Sequence, residues 1–145
     1  MTAVVVACCV LVVATCVLHY EVLGALQSVL PRLRIPNRAK LLVVILVAFL
    51  AHAVEIVLYG LSLHVLVTYV HSGSLSATDQ SSVSAALYFS AETYTSLGFG
   101  DVTPTGPVRL LAGVEALNGL LLIGWSASFT YLSMERFWAK SETEL

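Results

Sequence analysis

Eleven consecutive residues, Tyr94-Thr95-Ser96-Leu97-Gly98-Phe99-Gly100-Asp101-Val102-Thr103-Pro104, hold the most chemically suggestive backbone of the chain. Two glycines at alternate positions, hydroxyl residues before them and an acid after them describe backbone that enters conformations closed to most residues. Such a segment can point successive carbonyl oxygens the same way. Helix and strand interiors both lose stability to those glycines, so the segment is a tight turn or an irregular ligand-binding stretch. A second group, His52, Glu55, Glu115 and Asn118, interrupts otherwise apolar runs and could bind protons or tie helices together. His19, His64 and His71 read as interfacial or packing residues rather than metal ligands, because no spacing gathers them. Cys8, Cys9 and Cys16 share one apolar run without spaced partners, which argues against a disulfide framework or a zinc site. No Walker sequence, nucleophile elbow, HExxH helix or dinucleotide loop is present, so no enzymatic chemistry is expected.

The elements that must position these residues are those of a membrane protein. Of 145 residues, 58% are hydrophobic and 11% charged, and the mean hydropathy of +0.89 lies outside the range of soluble domains. The net charge of -2 says little about partners, since the signs are segregated along the chain. Residues 3–18 form an apolar run that reaches spanning length, about 30 Å, by continuing through His19 and Tyr20. A secretory signal is the competing reading, but a basic n-region and an A-x-A pattern are both missing. Residues 21–30 then suit a helix leaving along the membrane surface. Residues 31–40 carry four of the seven basic residues between two prolines, a cytoplasmic loop by the positive-inside rule. A second spanning helix follows over 41–71, with His52 and Glu55 on one face. No Lys or Arg occurs between Lys40 and Arg109, as expected of an outside loop after it.

Asp79 or Ser81 can cap a short helix over 81–95. At about 14 residues, or roughly 20 Å, that helix does not span, so it must be re-entrant or lie on the surface. Pro104, Gly106 and Pro107 break the chain, and a third spanning helix over 107–138 ends among Arg136, Phe137, Trp138 and Lys140 at a second cytoplasmic interface, with a short tail at 139–145. Basic clusters on one side require an even number of crossings between them. Two long helices with a segment dipping in and out supply that, and put the N-terminus outside and the C-terminus in the cytoplasm. Irregular backbone at membrane depth is tolerated only where it is buried in protein or lines a water-filled path.

From the pore-helix run Tyr88-Phe89-Ser90-Ala91-Glu92-Thr93 through Ser96-Leu97-Gly98-Phe99-Gly100-Asp101, the chain resembles the potassium-channel pore family, most of all its small bacterial members. The resemblance covers residues 41–138 and leaves the first helix outside it. It implies an all-α membrane protein of three spans per subunit, with a re-entrant pore helix, a filter loop at 96–101 and a tetrameric pore. Carbonyls and a hydroxyl of Thr95, Ser96, Leu97, Gly98, Phe99 and Gly100 would bind dehydrated potassium, the permeant ligand and the one metal expected; no cofactor is implied. Partners would be three further copies and membrane lipids, with no nucleic acid and no small-molecule substrate. Glu92 and Asp101 resemble a carboxyl pair that braces the filter in some relatives, the alternative being that Asp101 faces the outer vestibule.

Gly119 falls where relatives carry a hinge glycine, and Gly124 offers a second flexible or close-packing point. Helical spacing places Ile123, Ala127, Thr130 and Met134 on one face that would line the cavity. Glu115 and Asn118 lie on another face, directed at His52 and Glu55, as interhelical glue or as a proton-sensitive cluster. The chain departs from the family pattern at three filter positions: Ser96 for threonine, Leu97 for valine and Phe99 for tyrosine, the last without the hydroxyl that braces the filter. A weakly selective cation channel and a non-conducting accessory protein that keeps the pore fold therefore remain open alternatives. No helix has an arginine at every third position, so a voltage sensor of the usual kind is not expected.

Overall fold

Each long apolar run folds as one helix with a single buried stripe. The computed structural model describes residues 1–76 and 82–143, with side chains through residue 136. Helix α1, Thr2–Val29, buries Val4, Cys8, Leu11, Thr15, His19, Leu23 and Leu26. Helix α2, Asn37–Thr68, buries Val44, Ala48, Ala51, Glu55, Tyr59, Leu63 and Leu66 among others. Both stripes step by three or four residues, the period that keeps side chains on one face of a helix. Helix α4, Val108–Thr143, buries Leu111, Glu115, Asn118, Leu122, Ser126 and Ser133 in the same manner. Among the described residues, three helices are long and apolar enough to cross a membrane: Thr2–Arg32, Asn37–Thr68 and Val108–Arg136.

Several boundaries differ from those expected. α1 continues helical through Glu21 to Val29, as no proline interrupts it before Pro31, and ends in one 3-10 turn, Leu30–Arg32. α2 begins at Asn37 rather than 41, so the second half of the basic stretch is helical. Pro36, extended at φ -55° and ψ 149°, sits just ahead of the first turn, where its missing N–H costs nothing. The short helix α3 covers Val83–Tyr94 with Ser82 at its N-cap; the expected caps, Asp79 and Ser81, lie outside the described residues, as do the side chains at 137–140 and the tail end at 144–145. The all-α class holds with one addition. Strand β1, Ser74–Leu75, pairs antiparallel with β2, Pro104–Thr105, in the register Ser74 to Thr105 and Leu75 to Pro104. Hydroxyl pairs Ser74–Thr105 at 2.7 Å and Ser76–Thr103 at 2.9 Å extend this clasp, which ties the loop after α2 to the segment after the glycines.

The core is layered. One apolar cluster joins Val4, Leu11, Tyr59, Leu63, Phe89, Tyr94 and Leu111. Another joins Leu23, Leu26, Leu30 and Val44. Between them lie the polar members of the three stripes. α3 packs against α2 and α4, while α1 packs against α2 and α4 of its own chain.

Candidate ion-binding loop and buried polar network

The glycine-rich loop grows directly out of the end of α3. Ser96 N–H donates to Thr93 O at 3.0 Å and Leu97 N–H to Glu92 O at 2.9 Å. That pair of bonds around a left-handed residue is the Schellman arrangement, which satisfies carbonyls that a helix end would otherwise leave bare. Glycine is the usual occupant of the left-handed position, but here Ser96 takes it at φ +57°. Left-handed dihedrals recur at Gly98, φ +56°, and Gly100, φ +80°. Every second residue from 96 to 100 is thus left-handed, a regular alternation of backbone conformation along the loop. Residues 95–101 are all exposed in the single chain, including Leu97 at 60% and Phe99 at 67%.

Behind the loop, the Tyr88 hydroxyl donates to Asp101 Oδ2 at 3.1 Å, and Asp101 Oδ1 accepts the Val102 N–H at 3.0 Å. Glu92 is buried with Oε1 free of a hydrogen-bond partner. Tyr88 stands between the two carboxyls, and the adjacent Glu92 first, then partial desolvation and Asp101, raise its phenol well above the ordinary value. Asp101 therefore has a tyrosine partner where the sequence pointed to Glu92.

Gly119 is a contact point. A Cβ there would lie 2.2 Å from the Tyr94 carbonyl oxygen, so α4 crosses the end of α3 with backbone against backbone. At Gly124 a Cβ would meet nothing of this chain within 4 Å. Ile123 and Ala127 are exposed, and Thr130 and Met134 are half-buried, with Thr130 donating to Ser126 O at 2.8 Å.

His52, half-buried, and the buried Glu55, Glu115 and Asn118 do not form one cluster; the fold distributes them over three sites. Glu55 accepts from His19 Nδ1 at 2.9 Å, from His52 Nδ1 at 3.0 Å and from the Tyr94 hydroxyl. Glu115 instead meets Ser90 of α3, whose hydroxyl also lies 2.8 Å from Ile56 O. Ser90 has one hydrogen for two acceptors, so a protonated Glu115 completes the chain by donating to Ser90. Asn118 donates to Thr15 Oγ1 at 2.8 Å and to the Tyr59 hydroxyl at 3.1 Å, and its Oδ1 faces Cys16 Sγ at 3.7 Å. Glu115 and Asn118 do not meet His52 and Glu55, because α3 supplies the partner of Glu115 while α1 and Tyr59 of α2 supply those of Asn118. Of the two roles open to His19, interfacial or packing, the fold gives it the second: it is fully buried. The signal was present in the sequence: Thr15, His19 and Leu23 step by four on the α1 stripe, as Ala51, Glu55 and Tyr59 do on α2.

A family model described as an ion channel matches residues 42–135, more than half of the chain. No curated protein and no solved structure matches the chain.

Proposed function

This chain belongs to the ion-channel family of two-helix potassium-channel pores, and on that premise we propose that four copies surround one axis as a potassium-selective channel. One chain supplies one filter strand, and the fourfold arrangement sets the carbonyls of Ser96, Leu97, Gly98 and Phe99, with the Ser96 hydroxyl, around a dehydrated cation. α3 re-enters the membrane and aims the negative end of its dipole at the central cavity, which favours a cation there. The alternating left-handed backbone at 96, 98 and 100 carries this reading. With carbonyls towards the axis, the Leu97 and Phe99 side chains turn outward and bury against neighbouring subunits, which accounts for apolar residues that a lone chain leaves exposed. α4 presents Ile123, Ala127, Thr130 and Met134 to the path below the filter, and Gly124 is the position free to bend. The basic clusters support a cytoplasmic C-terminus and an N-terminus outside.

Purified protein in liposomes should conduct, with a reversal potential that follows the potassium gradient in mixed potassium and sodium. Gly98→Ala, which puts a side chain at φ +56°, should abolish flux. A reversal potential indifferent to the potassium gradient would leave a weakly selective cation channel, and absent flux would leave an accessory protein.

A further inference from the structure

Two histidines and a glutamate that sequence spacing scattered are brought together in the polar layer. His19 of α1 and His52 and Glu55 of α2 each offer a ligand atom, and these atoms lie within 4.8 Å of one another. Nδ1 of His19 is 2.9 Å from Glu55 Oε1, and Nδ1 of His52 is 3.0 Å from Glu55 Oε2. Ligands at about 2.0–2.2 Å from a tetrahedral zinc stand roughly 3.3–3.6 Å apart, so each histidine–glutamate pair opens by about half an ångström to admit the metal. The Tyr94 hydroxyl, 2.9 Å from His52 Nδ1, borders the remaining coordination position.

The outer hydrogen bonds favour a cation. Nε2 of His19 and Nε2 of His52 face the same hydroxyl, Ser126 Oγ, at 3.0 Å and 3.1 Å. With no cation and both imidazoles neutral, the two Nδ1–H groups donate to Glu55. Two Nε2 lone pairs then face a hydroxyl with a single hydrogen, and one stays unmatched. With a cation on the Nδ1 lone pairs, both Nε2 atoms carry hydrogens, and the two lone pairs of Ser126 Oγ accept both. Metal-ligating histidines ordinarily have their second nitrogen fixed in this way, and ligating carboxylates are themselves hydrogen-bonded, as Glu55 is by Tyr94.

We propose that His19, His52 and Glu55 form a binding site for a zinc-class divalent transition metal, separate from the permeant ion. Two imidazoles and one carboxylate suit such a metal, whereas potassium, calcium and magnesium take oxygen ligands. His52, with 17% of its side chain exposed, gives the cation its way in. The bound metal clamps α1 to α2 and, through Ser126 and Tyr94, holds α4 and the end of α3 two residues before Ser96.

The test is titration of chelator-stripped, detergent-purified protein with Co2+, followed by its visible tetrahedral absorption, and then displacement by Zn2+. One Co2+ per chain is expected. His19→Gln and His52→Gln should abolish the spectrum, while Ser126→Ala, which leaves the ligands in place, should weaken affinity by 10–100-fold. His64→Ala should change nothing. Elution of the variants at the wild-type oligomeric size separates lost binding from lost folding. No tetrahedral Co2+ spectrum from the wild type, or an undiminished spectrum from a folded His19→Gln protein, would overturn the site.

Discussion

Ser96 carries two demands that pull apart. Its backbone closes the end of α3 in a conformation that costs an L-residue about 1–2 kcal/mol, while its hydroxyl stands at the start of the glycine-rich loop proposed to bind the permeant ion. Serine at this position avoids the second branch that makes threonine or valine stiffer at positive φ. Ser96→Gly should raise the thermal stability of the assembled protein by about 1 kcal/mol per chain in potassium-free buffer, and Ser96→Val should lower it. Thermal unfolding in detergent reads both changes. A destabilised glycine variant would show that the hydroxyl, rather than the backbone, decides this position. Glu92 and Tyr88 illustrate the limit of reading such residues from sequence. The acid was visible as a filter neighbour, but the tyrosine that reaches Asp101 is apparent only once α3 is folded beside the loop.

The helices were legible because apolar period and charge segregation report directly on what lies in lipid. α2, α3 and α4 all appear close to their expected places, and the loop signalled itself through glycines at alternate positions. Pairings between helices were not legible. Which face of α4 meets which helix depends on crossing geometry, so Glu115 went to Ser90 and Asn118 to α1, against expectation. The β1–β2 clasp is only two residues long on each side, too short to leave a strand pattern. Gly119 gave an ambiguous signal, hinge or contact, and its position against the Tyr94 carbonyl makes it a contact. Gly119→Ala should push α4 off the end of α3, at a cost of about 1–3 kcal/mol for overpacking. Gly113→Ala, where a Cβ meets nothing within 4 Å, is the control and should be near neutral. Equal stabilities by thermal unfolding would disprove the close crossing.

At the scale of the molecule, α1 is an integral part of the pore subunit although the family match begins only at residue 42. Its Thr15 and His19 meet partners on both α2 and α4. A double-mutant cycle on Thr15→Val and Asn118→Ala should give a coupling of about 0.6 kcal/mol, the usual size for such bonds in membranes; zero coupling would make α1 a passive neighbour. The same contacts dictate an order of assembly. Thr15 lies 103 residues from Asn118, so α1 enters the bilayer long before its last partner is made. Thr15 can wait, because its hydroxyl bonds back to Leu11 O at 2.8 Å within the helix. His19 has no such local partner and first meets Glu55 when α2 arrives, whereas Glu55 already has His52 of its own helix. An α1–α2 hairpin thus already pairs His19 with Glu55, and α4 completes the network with Asn118 and Ser126.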